Sequence, residues 1–211
     1  MSTPPTWLTD LAARAQSVTP AELTRFADLP SEGRASAVLM LFGEGPRGTD
    51  VLIIERSGDM RSHAGQPAFP GGATDADDVD AIATALREAQ EETGLDPIGI
   101  DILASFTAIP VPVSGFVVTP VLGWWREPSP VHAAAPAEVQ RVARVAVADL
   151  VDPARRVRVR HPSGYVGMAF DVEGMLVWGF TGGLLYRLLS LAGLINPADD
   201  VDAPTRDLPV A

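Results

Sequence analysis

The fold is decided by residues 71–95, which read GGATDADDVDAIATALREAQEETGL. Two glycines open this stretch and an acidic turn follows them. Gly94 comes after the last polar residues and is predicted to end a helix, because glycine readily adopts the left-handed backbone of a helix C-cap. Between the turn and Gly94, apolar side chains recur at the spacing of one α-helix face; they are Ile82, Ala85, Leu86 and Ala89. The stretch therefore predicts a glycine loop that leads into one amphipathic helix.

The polar face of this helix carries three carboxylates, Glu88, Glu91 and Glu92. Like charges at this spacing repel each other and weaken an isolated helix. Hard divalent cations such as Mg²⁺ bind carboxylate oxygens and keep water and substrate phosphates as their other ligands. Taken alone, the three glutamates favour an ordinary solvated helix face, and a metal site is the alternative.

The residues around the glutamates favour the metal site, because they match a known motif. Residues 87–95 fit the pattern Arg-Glu-apolar-x-Glu-Glu-x-Gly-apolar, and Phe69-Pro70-Gly71-Gly72 provides the loop that enters it. Five fixed positions at roughly 6% usage each give a chance match of about one in a million per window. In this motif the chain resembles the Nudix hydrolases.

One departure from the general Nudix pattern points to a subfamily. The interval from Gly72 to Arg87 is one residue longer than usual, and its acidic residues are Asp77, Asp78 and Asp80. This stretched, Asp-rich box resembles that of the coenzyme A pyrophosphatases. The signature that precedes the box in that subfamily is matched by residues 52–57, Arg61, Gly65 and residues 69–72, with Ile54 in place of the usual Thr. The resemblance covers about residues 35–194.

The resemblance implies a fold and a reaction. The expected fold is α/β, a Nudix α/β/α sandwich around a mixed sheet with a C-terminal packing helix. The expected reaction is metal-dependent hydrolysis of the pyrophosphate bond of coenzyme A or a derivative, giving 3′,5′-ADP and 4′-phosphopantetheine. The implied cofactor is Mg²⁺ or Mn²⁺.

The resemblance also implies roles for individual residues. Those matching the catalytic positions are Arg87, Glu88, Glu91 and Glu92, of which the three glutamates are the implied metal ligands. Glu88 and Glu92 would hold one ion, Glu91 a second ion or a water, and Arg87 would orient Glu91 through a salt bridge. The implied substrate-binding residues are Arg56, Arg61, Gly71 and Gly72. Glu138 is the candidate for a further carboxylate in a late loop.

Two other functions remain open at this stage. One is a Nudix pyrophosphatase for another nucleoside diphosphate compound, such as ADP-ribose, NADH or a nucleotide sugar. The other is a Nudix-fold binding protein without turnover, which the retained Glu88, Glu91 and Glu92 disfavour.

Composition limits the partners. The 211 residues are enough for one well-filled domain, and the net charge of −11 argues against a nucleic-acid partner. Cysteine is absent, and all sixteen basic residues are arginine. No signal peptide or membrane span is predicted, so a cytoplasmic enzyme with a small-molecule substrate is expected. A homodimer is compatible with the sequence without being specified by it.

The remaining segments divide the chain into three predicted parts. Residues 1–34 are predicted to form a helical extension, residues 35–195 the Nudix domain, and residues 196–211 an acidic, disordered tail. A hairpin is predicted from strands at 35–42 and 51–55. Residues 155–160 alternate arginine and valine, which predicts an edge strand with a solvated basic face or, as the alternative, a basic strip for a 3′-phosphate. Trp124 and Trp125 are predicted to pack in the core or to stack on an adenine.

Overall fold

The structure, a computed structural model, describes residues 2–29, 32–58 and 64–208. Within these ranges the chain forms twelve β-strands in two sheets and five α-helices. The predicted substrate residue Arg61 lies outside the described residues. No helix in the described ranges is long and apolar enough to cross a membrane.

Eight strands form a mixed main sheet. Their bounds are β1 Arg34–Gly45, β2 Gly48–Arg56, β3 Pro67–Ala68, β4 Gly71–Ala73, β5 Ile100–Ser105, β6 Ile109–Val111, β7 Phe116–Trp125 and β8 Val139–Ala146. The strand order is β3-β2-β1-β7-β5, while β4 pairs with β1, β6 with β7 and β8 with β2. β1 is antiparallel to β2 and parallel to β7, which makes it the centre of the sheet. The predicted hairpin is confirmed, and it closes where Gly45 faces Gly48.

Helices cover both faces of this sheet. Their bounds are α1 Thr6–Arg14, α2 Pro20–Leu23, α3 Ala81–Thr93, α4 Val147–Val151 and α5 Gly179–Leu191. Because side chains alternate along a strand, β1 serves two cores. Leu39 and Leu41 pack with α3 on one face, whereas Met40 and Phe42 pack with α1 and α5 on the other. The predicted α/β/α sandwich with a C-terminal packing helix is confirmed.

Four further strands form a small second sheet beside the C-terminal helix. Their bounds are β9 Arg156–Arg160, β10 Val166–Val172, β11 Met175–Val177 and β12 Thr205–Asp207, and their order is β11-β10-β9-β12. β9 is therefore not an edge strand, and its predicted solvated basic face is wrong for Arg156. That side chain is 1% exposed and its Nε lies 2.7 Å from a carboxylate oxygen of Asp200.

The acidic tail is ordered further than predicted. Pro197–Asp200 forms a 3₁₀ turn and β12 pairs in parallel with β9, so the prediction of disorder is wrong for this part of residues 196–208. The tail is held by charge pairing: Asp200 binds Arg156, Asp207 lies 3.2 Å from Arg160, and Arg206 lies 2.6 Å from Asp171. Two acidic tail residues therefore pair with Arg156 and Arg160 of β9, a pairing that composition alone does not reveal.

The placement of the two neighbouring tryptophans is settled by the packing. Trp124 and Trp125 are each 1% exposed, so they pack in the core and are not available to stack on an adenine.

Candidate active site

The two ends of α3 are fixed by its own sequence. The Asp80 side chain accepts the N–H of Ala83 at 2.8 Å and so caps the first turn. Gly94 has a φ of 69°, the left-handed conformation that was predicted for the C-cap. Ala85 and Ala89 are buried against the sheet, and the helix also contacts β4.

Glu92 is tied to the glycine loop. The N–H of Gly71 donates to Oε2 of Glu92 at 2.9 Å, and Glu92 is only 3% exposed. A Cβ at position 71 would lie 2.3 Å from the carbonyl oxygen of Ala37, so the backbone approach requires glycine. The loop and the last turn of the helix thus form one unit around a buried carboxyl group.

Glu88 lies directly over the second glycine. A Cβ at Gly72 would be 2.5 Å from the Glu88 carboxyl carbon, so no larger residue fits without displacing that carboxylate. Oε1 of Glu88 also accepts a hydrogen bond from Nη1 of Arg87 at 3.0 Å. The predicted substrate residues Gly71 and Gly72 therefore position two of the predicted metal ligands.

Arg87 joins the helix to the acidic turn. Its Nε and Nη2 donate to the two carboxylate oxygens of Asp78 at 3.0 and 2.8 Å, and Nη2 also donates to the carbonyl of Ala73 at 3.0 Å. The predicted bridge to Glu91 is present at 3.2 Å. The hydrogen bonds from Arg87 hold the pKa of Asp78 well below its usual range, and Asp78 in turn raises the pKa of Arg87.

Asp78 is the site residue whose role the sequence analysis missed. In the sequence Asp78 is one of three acids in the longer interval, and no pattern there distinguishes it from Asp77 and Asp80. In the structure it accepts a two-pronged hydrogen bond from Arg87 and a further bond from Oγ1 of Thr84 at 3.0 Å. The sequence did offer one indication of this role. An arginine guanidinium pairs well with a carboxylate through two parallel hydrogen bonds, so Arg87 is expected to have an acidic partner nearby.

Glu138 reaches the site through the connection between β7 and β8. The N–H groups of His132 and Ala134 donate to the carbonyl oxygens of Thr93 and Glu92, each at 3.0 Å, so this connection caps the C-terminal end of α3. The carbonyl of Glu138 then accepts the N–H of Ser57 at 2.7 Å. Glu138 is thereby brought close enough for its charge to act on the helix carboxylates.

The electrostatics show a site with excess negative charge. Burial raises the pKa of Glu92 to about 8, although the Gly71 hydrogen bond and the charge of Arg56 lower it. Burial also raises the pKa of Glu88, against the lowering effect of Arg87. The charge of Glu138 raises both values further. Ionised carboxylates in such a place favour a cation, because a positive charge removes the penalty of burial.

The residues present fit a hard divalent cation. Their donors are carboxylate oxygens, the ligand type preferred by Mg²⁺ and Mn²⁺. Within residues 2–29, 32–58 and 64–208, no three His, Asp or Glu side chains are arranged to hold a metal ion by themselves. Protein sites for Mg²⁺ commonly combine one or two carboxylates with water and substrate phosphates. The ligand roles of Glu88, Glu91 and Glu92 remain predictions.

Comparisons with known proteins agree with this architecture. The sequence profile of the NUDIX domain matches residues 32–163. A relative from Escherichia fergusonii, named uncharacterized Nudix hydrolase NudL, is 34% identical over 165 residues, which cover 76% of this chain and 84% of the relative. A relative of the same name from Cronobacter sakazakii is 35% identical over 159 residues, which cover 74% of this chain and 81% of the relative.

Among solved structures, a MutT/nudix family protein from Enterococcus faecalis superposes with a TM-score of 0.50 at 18% identity, covering 89% of this chain and 73% of the other. This likeness concerns the fold alone. The profile covers more than half of the chain, and both relatives exceed 30% identity over most of their length. The chain belongs to the Nudix family of hydrolases.

Proposed function

We propose that this Nudix hydrolase cleaves the pyrophosphate bond of coenzyme A or a coenzyme A derivative, giving 3′,5′-ADP and 4′-phosphopantetheine. The coarser activity follows from the family, whose hydrolases act on nucleoside diphosphate-linked compounds. The observation that carries the finer proposal is the position of Arg56. It ends β2 within the segment that resembles the coenzyme A pyrophosphatase signature, and its charge acts directly on the buried Glu92.

The proposed chemistry needs a cation that this chain can hold. A divalent ion bound there neutralises charge on the diphosphate and makes a water more acidic. Glu88 and Glu92, on one helix face and anchored by the glycine loop, are the proposed ligands. Glu91 is 59% exposed on its side chain and is free to contact a second ion or a water.

We assign the proton acceptor to Glu138. Its backbone is held by the N–H of Ser57 and by its own N–H bond to the carbonyl of Ala135 at 2.8 Å, while the residue remains exposed to solvent. Water attacks one phosphorus, its proton passes to a carboxylate oxygen of Glu138, and the bond from that phosphorus to the bridging oxygen breaks. Glu138→Gln should lower kcat and leave KM nearly unchanged, because an amide cannot accept that proton.

The proposal is tested by assaying four substrates side by side with Mg²⁺ or Mn²⁺: coenzyme A, dephospho-coenzyme A, NADH and ADP-ribose. Coenzyme A should have the highest kcat/KM and yield the two stated products. The Glu92→Gln variant serves as the inactive control. Higher kcat/KM for NADH or ADP-ribose would assign the enzyme to another nucleoside diphosphate compound, and no turnover of any of the four would favour a binding protein.

Two arginine variants test the proposed recognition of the 3′-phosphate. Arg56→Ala and Arg61→Ala should each reduce coenzyme A hydrolysis, because a buried phosphate needs cationic partners. If the replaced arginine contacts the 3′-phosphate, its variant should also lose the preference for coenzyme A over dephospho-coenzyme A. The ratio of the two kcat/KM values should then fall by about ten- to a hundredfold. Arg14→Ala is the matched control, because it removes a hydrogen bond from Arg14 to the carbonyl of Leu191 at the end of α5. Unchanged hydrolysis in both variants would show that the signature segment does not contribute to the substrate site.

A further inference from the structure

The second sheet carries a hollow that has no part in the proposed reaction. It lies between β9, β10 and the helix α5, and its volume is about 290 Å³. Its walls are formed by Arg158, Val166, Met168, Tyr186 and Pro197, with Asp200 at the base. None of the residues assigned to the hydrolase site lines it. The volume is close to the lower limit for small-molecule pockets.

The polar base of the hollow is internally satisfied. Oδ1 of Asp200 accepts Nε of Arg156 at 2.7 Å, and Oδ2 accepts the hydroxyl of Tyr186 at 2.9 Å. Arg156 and Asp200 are both buried, so the two opposite charges balance each other. Burial, and then the hydrogen bond to Asp200, raise the pKa of Tyr186 to about 12, which keeps its hydroxyl protonated. Each oxygen of this carboxylate therefore already accepts a hydrogen bond, and Arg156 balances its charge.

Arg158 is the charged side chain of the hollow that has no carboxylate partner among the described residues. Its one side-chain hydrogen bond among the described residues goes from Nη2 to the backbone carbonyl of Asp200 at 3.2 Å, and no described carboxylate lies within ion-pair distance of its guanidinium. Its neighbours along the strand differ, because Arg156 pairs with Asp200 and Arg160 pairs with Asp207. A guanidinium carries five N–H donors in a planar fork, so most of its donors remain for a ligand in the hollow.

Apolar side chains form part of the remaining walls. Val166 is 48% exposed at the rim, and Met168 and Pro197 line the sides. Methionine adapts to irregular ligands because its side chain is unbranched and polarisable. A cation on one wall with apolar surface on the others matches a molecule that has an anionic head and a short apolar body.

We propose that this hollow binds a small organic oxyanion, a phosphate monoester or a carboxylate, whose head pairs with Arg158 and whose apolar part contacts Met168. This site is separate from the hydrolase site and does not depend on the proposed substrate. The planar fork of Arg158 is suited to the two oxygens of either head group.

The test uses the full chain in EDTA, which removes metal-dependent binding at the hydrolase site. Phenyl phosphate and benzoate are titrated by calorimetry, and the tighter of the two identifies the head group. Arg158→Gln should weaken that binding by at least tenfold, the minimum expected for a charge-assisted pair. Arg158→Lys should retain part of it, and Arg160→Gln, the matched control two residues along β9, should bind like wild type.

A second measurement locates the probe in the unmodified protein. The chain contains five methionines, and their methyl resonances can be followed by ¹³C NMR, with Met168 assigned from a Met168→Leu variant. The bound probe should shift the Met168 methyl and leave the other four in place. The proposal is overturned if neither probe binds saturably, if Arg158→Gln binds like wild type, or if binding leaves the Met168 methyl unchanged. Loss of probe binding in Arg56→Ala would place the probe in the hydrolase site and would also overturn it.

Discussion

The variant Glu92→Gln should make the metal-free protein more stable at alkaline pH. In the fold the pKa of Glu92 rises from 4.5 to about 8 because the carboxyl group is buried. Between these two values the folded state holds a proton that the unfolded state releases. The free energy of unfolding of the wild type therefore falls as pH rises through this range. Glutamine removes the titration and keeps an oxygen that can accept the N–H of Gly71.

The size of the effect follows from the same two values. At about 1.4 kcal/mol for each pKa unit, ionising Glu92 in the fold costs at most about 5 kcal/mol above pH 8. The stability of an ordinary domain is about 5–15 kcal/mol, so even half of this effect is easily measured. The difference between Glu92→Gln and wild type should be small near pH 5 and largest near about pH 8.5.

Urea unfolding in EDTA at a series of pH values measures this difference. Glu91→Gln is the matched control, because Glu91 lies on the same helix with its side chain 59% exposed. That control should follow the wild type at every pH. Added Mg²⁺ should stabilise the wild type at alkaline pH and have little effect on Glu92→Gln. The free energies of unfolding of wild type and Glu92→Gln could instead differ by the same amount at every pH from 5 to 8.5. In that case Glu92 is not a buried acid that is forced to ionise, and the argument for a cation beside it fails.

Three other outcomes are expected. Gly72→Ala should lower kcat by about a hundredfold through displacement of the Glu88 carboxylate, whereas Gly183→Ala, whose added methyl meets no atom within 4 Å, should retain activity. Asp200→Asn should reduce the free energy of unfolding by about 3–5 kcal/mol in urea titrations, because it leaves the charge of Arg156 buried and unpaired; a loss below about 1 kcal/mol would contradict this. Hydrolysis should increase from about pH 6 to 9, since the raised pKa values of the proposed ligands Glu88 and Glu92 oppose metal binding at low pH. A higher Mg²⁺ concentration should move this increase to lower pH, and an optimum of hydrolysis near pH 5 would be inconsistent with the proposed metal site.

The sequence predicted what depends on local periodicity and on a short motif. The helix that became α3, its end at Gly94 and the bridge from Arg87 to Glu91 all lie within one run of residues, where helical spacing determines which side chains meet. The hairpin of β1 and β2 is local for the same reason.

The sequence could not predict pairings between distant segments. Arg156 and Asp200 are 44 residues apart, and nothing near either one indicates the other. The burial of Arg156 depends on that pairing, and the strand β12 depends on similar long-range pairs between Asp207 and Arg160 and between Arg206 and Asp171. Asp78 was overlooked for a different reason, since three nearby acids offered Arg87 a partner and only the folded turn selects among them.

The capping of α3 by the connection between β7 and β8 limits how this protein can evolve. Ala134 is fixed to the helix end by its N–H, and Glu138 is fixed to Ser57 by its carbonyl. Only residues 135–137 separate the two anchors, and the carbonyl of Ala135 accepts the N–H groups of Glu138 and Val139. Substitutions in these three residues should be tolerated. An added or deleted residue would move the Glu138 carboxylate by up to about 3.5 Å, so it is the length of this segment, rather than its side chains, on which selection should act.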